Sequence, residues 1–326
     1  MNYIFVNTYT ALIQGLYLYK KNSNTILVID ADYFKNSDEL MRVLASKKIN
    51  VIIDKKGSFL SFPFGKKIVK TVIYIFYKIF KDKKINKIFY NGDPSTILRL
   101  KAIASSKEII FMDAGYQHYF LVYMNSKNNF YKNESLSFKI LRNLFFGFRL
   151  NYTDKKIKEI IFIYEKMFTL SNTLPIVEKI NKDKLIPNVI LGIKNQEVKE
   201  VFIELFPNLQ ELGIKKDKNI MLITQPLCED GYMSLHENIK IYNDYLKTLS
   251  NQNACIYLKI HPREDSNKYL NLCKKYNLTF LDGFPLELLE LFDINFSLGV
   301  TYNSTANYLN CFDAMKFLDK TIEAKN

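Results

Sequence analysis

Three histidines occur in the sequence, and His261 closes the run CIYLKIHP, where an apolar, β-branched segment stops at an imidazole, a proline and mixed charges. An imidazole at a strand end suits an acid that protonates a departing oxygen, and a neighbouring phosphate would favour its charged form. A lone histidine can equally be a structural residue. Other polar residues occupy equivalent places in the second half of the chain. Glu229-Asp230-Gly231 follows IMLITQP, and Asp230 is either a general base for a hydroxyl nucleophile or an acidic turn residue ahead of glycine. Lys259 stands two residues before His261 and offers a cation. Gly283, Phe284 and Pro285 follow LTFLD, with Glu287 in the first turn of the next helix. There a carboxylate accepts two ribose hydroxyls or simply complements the helix dipole. Ser304 and Thr305 follow INFSLGVTYN at a helix start, where hydroxyls and free N–H groups cradle a phosphate or cap the helix. Taken together these residues place an acid, a cation, a phosphate cradle and a ribose acceptor around one cleft.

Such residues act together only if the elements before them are parallel strands. Short apolar runs (YIFVNT, TILVID, NVIID, KIFYNG, EIIFMDAG, KMFTLS) alternate with amphipathic segments such as SDELMRVLASKK, the pattern of βαβ units covered on both faces. After the lysine-rich stretch ELGIKKDKN the alternation restarts with IMLITQP, ACIYLKIHP, LTFLD and INFSLG. The expected fold class is α/β, two Rossmann-like doubly wound domains, residues 1–198 and 199–326, facing a central cleft. In open α/β sheets ligands bind beyond the carboxyl ends of the strands, so the strand-end residues carry the functional reading. Neither a Walker A loop nor GxGxxG occurs, against an NTPase and a classical dehydrogenase, and no GxSxG elbow supports a hydrolase.

The formal charge of +13 over 326 residues attracts any polyanion. No nucleic-acid signature accompanies it, and no nucleic-acid partner is expected. Much of the excess lies in KKIVK, KIFKDKKINK and NFYKNESLSFKILRNLFFGFRLN, where cations alternate with Phe, Tyr, Leu and Ile. That pattern suits an anionic membrane surface or, equally, solvated helix faces. Four scattered cysteines without CxxC indicate a reducing compartment and no zinc site. MNYIFVNTYT lacks a basic region before its apolar run, so no signal peptide is expected. The expected location is the cytoplasm, peripheral on the inner face of the membrane.

The strand-end motifs resemble those of bacterial sialyltransferases of the lipooligosaccharide and capsule type, glycosyltransferase family 52. The resemblance rests on EDG (Glu229–Gly231), KIHP (Lys259–Pro262), FPLE (Phe284–Glu287) and the Ser304-Thr305 pair, in that order in the C-terminal half. It implies a GT-B type fold in which 1–198 binds acceptor and 199–326 binds donor. It also implies metal-independent, inverting transfer of sialic acid from CMP-sialic acid to a galactose hydroxyl, in α-2,3 linkage, on a surface glycan. By the same resemblance CMP is held by Lys259, Pro262, Gly283, Phe284, Pro285, Glu287, Ser304 and Thr305. His261 assists the departing phosphate and Asp230 takes the acceptor's proton. Asp113 in FMDAGYQHY is the alternative base, although Ala114 departs from the acidic pair, and His118 nearby reads as structural. Asn91 and Asp93 in YNGDPST are acceptor contacts or turn residues. The implied partners are a nucleotide-sugar donor, a glycan acceptor and a second copy, with Phe130 to Leu150 as the candidate self-association or membrane face. Two other readings remain: a family-related hexosyltransferase using a UDP-sugar, and a non-catalytic glycan- or membrane-binding protein.

Overall fold

A computed structural model describes residues 1–31, 34, 37–54, 65–80, 84–90, 96–112, 157–161, 185–186, 196–209, 218–249, 254–281, 283–302, 306 and 309–318. The chain divides into two units, Met1–Leu205 and Phe206–Asn326. The division falls after the helix that spans the expected boundary at residue 198. That helix, α5 (Gln196–Leu205), packs on the first unit, where Glu197 pairs with Lys20 and Glu204 with Lys47.

In the first unit the runs expected as strands are β1 (Asn2–Val6), β2 (Thr25–Asp30), β3 (Val51–Asp54), β4 (Lys87–Tyr90) and β5 (Glu108–Met112). β6 (Ile157–Ile161) and β7 (Leu185–Ile186) complete a parallel sheet of order β3-β2-β1-β4-β5-β6-β7. The connecting helices are α1 (Tyr9–Lys21), α2 (Ser37–Ser46), α3 (Gly65–Ile79) and α4 (Ile97–Ser105). α1 starts where it does because Thr8 accepts the Ala11 N–H at 3.1 Å. Burial on both faces requires apolar strands, and Ile4, Phe5, Leu27, Val28, Ile88 and Ile109 are accordingly sealed in the core. The strand expected in KMFTLS lies outside the described residues.

The second unit repeats the plan with β8 (Asn219–Ile223), α6 (Leu235–Leu249), β9 (Cys255–Lys259), α7 (Leu270–Tyr276), β10 (Thr279–Leu281), a short helix α8 (Leu288–Leu291), β11 (Leu298–Thr301) and β12 (Met315–Phe317). Its parallel sheet has the order β10-β9-β8-β11-β12. Ile220, Leu222, Tyr242, Leu246, Leu258, Tyr269 and Val300 form its core. β12 was not legible as a strand. It fits beside β11 because Gly299 has no side chain: an added Cβ would strike the Met315 sulfur and come within 2.9 Å of the Phe312 ring. In each unit the strand order reverses once, between β1 and β4 and between β8 and β11, the switch point where doubly wound sheets leave a crevice.

Candidate functional site

Register fixes which loops meet. Leu281, Lys259, Ile223 and Thr301 lie side by side across β10, β9, β8 and β11, so the segments that follow them leave one edge of the sheet together. The segment after β8 is a compact turn: the Asp230 N–H donates to Pro226 O (2.9 Å), Gly231 N–H to Cys228 O (3.0 Å) and Tyr232 N–H to Leu227 O (2.8 Å). Gly231 adopts φ +76°, a left-handed value that glycine adopts at least cost. α6 then opens on a capping box, Ser234 and Glu237 each accepting the other's backbone N–H.

The segment after β9 carries His261 and is held from beneath by Glu264. The Glu264 carboxylate is fully enclosed. It accepts from the His261 N–H (3.2 Å), the Tyr269 hydroxyl (2.8 Å), the Thr224 hydroxyl and the Lys268 ammonium (2.7 Å). Thr224 Oγ1 in turn accepts the His261 N–H at 3.0 Å, so the ends of β8 and β9 share one hydrogen-bonded hub. Lys268, also buried, reaches Glu229 at 3.0 Å. Burial works against ionisation of Glu229, but backbone donors and Lys268 outweigh it and hold its carboxyl below the ordinary value.

Arg263 joins the two expected chemical residues. Its guanidinium clasps Asp230 through two bonds of 2.6 and 2.9 Å, and its backbone N–H donates to His261 Nδ1 at 3.2 Å. With Nδ1 accepting, a neutral ring carries its proton on Nε2, which makes Nε2–H a donor for an anionic oxygen. The hydrogen bonds from Arg263 hold the Asp230 carboxyl below its usual range. His261 is also lowered, first by burial and then by the Arg263 cation, while Glu264 and Asp230 oppose the shift. The imidazole is therefore neutral at pH 7, and a phosphate beside it would push its value back up.

After β10, Gly283 takes φ +87° and turns the chain, and Phe284 is buried. Its ring centroid lies 5.0 Å from Lys259 Nζ, placing the cation of a buried lysine over an aromatic face. Pro262 is exposed, and Pro285 and Glu287 are half-buried ahead of α8. At the end of β11 the buried Thr301 hydroxyl has no hydrogen-bond partner among the described residues. Asp230, His261, Lys259 and Phe284 thus fall on adjoining loops of one sheet edge. Ser304, Thr305, Asn91, Asp93, Asp113, His118 and the face from Phe130 to Leu150 lie outside the described residues.

Sequence reasoning missed the residues that hold this edge: Thr224, Arg263, Glu264 and Lys268. A signal existed, because a glutamate three residues after His261 is spaced to accept its N–H. A second buried group was missed in the first unit. Arg99 of α4 is 1% exposed and meets Asp30 at 3.4 Å and Asp54 at 3.2 Å, the last residues of β2 and β3. Thr96, the α4 cap, donates to Asp54 at 2.7 Å. Two strands ending in register on aspartate call for a cation once that end is covered.

The chain is thus built of two Rossmann-like α/β units, the second with a charged, partly buried edge at its strand ends. It belongs to the Alpha-2,8-polysialyltransferase (POLYST) family, which matches residues 4–289. A protein of Haemophilus influenzae described as uncharacterized is 26% identical over 133 residues, 40% of this chain and 42% of that protein's length. Among solved structures, UDP-GlcNAc 2-epimerase from Neisseria meningitidis superposes with a TM-score of 0.49 at 13% identity, covering 94% of this chain and 79% of that one. The corresponding enzyme from Methanocaldococcus jannaschii gives a TM-score of 0.49 and 13% identity over 98% and 90%.

Proposed function

We propose that this protein is a sialyltransferase that moves sialic acid from CMP-sialic acid to a glycan hydroxyl, with inversion and without an essential metal. The observation that carries the reading is the linked group Asp230–Arg263–His261 beside Lys259 and Phe284, at a sheet edge suited to a nucleotide, in a chain of this family. In this reading residues 206–326 hold the donor and the N-terminal unit holds the acceptor. Phe284 and Pro285 would flank cytosine, Glu287 the ribose, and Ser304 with Thr305 the phosphate. Neutral His261 donates through Nε2 to the phosphate oxygen that leaves. As that oxygen gains charge the Nε2–H···O hydrogen bond strengthens, where the transition state needs it.

Asp230 accepts the proton of the acceptor hydroxyl once it exchanges Arg263 for substrate. Clasped by Arg263 it is a weak base, so release from Arg263 is part of this reading. The family's description favours a sialyl-terminated acceptor and α-2,8 linkage over the galactose hydroxyl and α-2,3 linkage expected from the motifs. The reaction would take place on a surface glycan at the inner face of the cytoplasmic membrane.

The test is CMP release from CMP-sialic acid in the presence of EDTA, with sialyl- and galactose-terminated acceptors side by side. Transfer to either acceptor supports the reading and the preferred one fixes the linkage class. Loss in EDTA overturns metal independence. Stabilisation by UDP and not by CMP, with transfer from a UDP-sugar, would make the hexosyltransferase reading correct instead.

A further inference from the structure

α3 is amphipathic in the wrong direction for a core helix. It packs along α4, with Lys101 of α4 over the Tyr77 ring at 6.0 Å, and Ile73, Tyr74 and Tyr77 are half-buried. Val72, Ile75, Phe76, Ile79 and the following Phe80 stand 40–69% exposed, and no residue from 72 to 80 is buried. The spacing i, i+3, i+4, i+7, i+8 places all five on one stripe, and the Phe76 and Phe80 rings touch at 4.8 Å. Single exposed apolar residues are ordinary, but five contiguous ones along a helix mark a contact surface.

Charge selects the occupant. Residues 66–84 contain Lys66, Lys67, Lys70, Lys78, Lys81, Lys83 and Lys84 against one acid, Asp82. A second copy meeting this face across a two-fold axis would bring like charges together, whereas anionic headgroups would neutralise them. Fifteen residues at 1.5 Å each reach roughly 22 Å, short of the roughly 30 Å hydrocarbon layer, so such a helix lies in the interface plane and does not cross. No described helix is long and apolar enough to span a bilayer.

We propose that the α3 face formed by Val72, Ile75, Phe76, Ile79 and Phe80 docks the protein on an anionic lipid surface, the stripe seated among the acyl chain ends and the basic charge of the segment drawn to the headgroups. The proposal deepens the peripheral location given above and rests on it, but it stands on α3 and not on the transferase chemistry.

The experiment floats the full chain with vesicles of phosphatidylcholine alone or mixed with phosphatidylglycerol, at low and high salt. Binding should be confined to the mixed vesicles and fall at least about tenfold at high salt. The double variant Phe76→Glu/Ile79→Glu should lose at least about tenfold in binding. Its melting temperature and its CMP release with a short soluble acceptor should match the parent, so failure at the membrane and failure of the chemistry are read separately. Equal binding to both vesicle types, or none, overturns the proposal. So does a dimer that the double variant dissolves, which would assign the face to a second copy. A marked fall in the variant's melting temperature would overturn it too, by showing that the chain's own segments cover the stripe.

Discussion

Replacing Glu264 by glutamine tests the hub that ties His261 to the sheet. The side chain keeps its shape but loses its charge, and its amide turns two donors toward groups that are themselves donors. Removing one partner of a buried pair costs about 3–5 kcal/mol, because the other charge is left without compensation. Lys268 retains Glu229 at 3.0 Å, which places the loss at the lower end, about 3 kcal/mol. In a unit of roughly 120 residues a change of about 1 kcal/mol moves the melting temperature by about 4 °C, so a fall of about 12 °C is expected. Hydrogen exchange read at β8 and β9 is the suitable assay, since it reports the second unit apart from the first. A double-mutant cycle with Lys268→Met isolates the ion pair. A coupling energy below about 0.5 kcal/mol would refute the claim that this pair anchors the loop.

Other consequences are as direct. In Arg263→Met the His261 titration should move up, since the guanidinium lowers it, whereas in Asp230→Asn it should move down; histidine NMR reads both. The depressed His261 value also sets a pH dependence. Between its folded value and the unfolded 6.5 the native state binds fewer protons than the unfolded state, so this contribution to stability is complete above pH 6.5 and lost on acidification below it. Urea midpoints measured downward from pH 7 should fall less in His261→Gln than in the parent. Arg99→Met should destabilise the first unit by about 3–5 kcal/mol by stranding Asp30 and Asp54, with little effect on exchange in the second unit. Gly299→Ala should cost the second unit about 1–3 kcal/mol, read as faster exchange at β11 and β12.

The sheets were legible because both faces of a parallel strand are buried, which leaves runs such as TILVID and CIYLKI unmistakably apolar. β12 was hidden because DAMKFL is short and mixed, and its place beside β11 depends on a glycine elsewhere in the chain. The expected boundary at residue 198 falls inside α5, a helix that precedes the lysine-rich stretch and packs backward on α1 and α2. At the site, Asp230 and His261 were legible as strand-end residues. Their state was not, because it depends on Arg263, an ordinary surface type in the sequence whose fork reaches Asp230 only once β8 and β9 are paired. The basic, apolar-interleaved stretches KKIVK and KIFKDKKINK flag the α3 region, but periodicity does not tell which side of a helix the rest of the protein covers. That comes from tertiary packing, in which α4 lies along α3 and leaves Val72, Ile75, Phe76, Ile79 and Phe80 exposed.

Soaking or co-crystallising the protein with CMP is the sharpest trial of the whole account. A phosphate oxygen about 3 Å from His261 Nε2, with the Ser304 and Thr305 hydroxyls on the same group, is the arrangement required. Nucleotide bound at another edge of the second unit, or an imidazole whose Nε2 faces protein while the phosphate sits elsewhere, would contradict it outright.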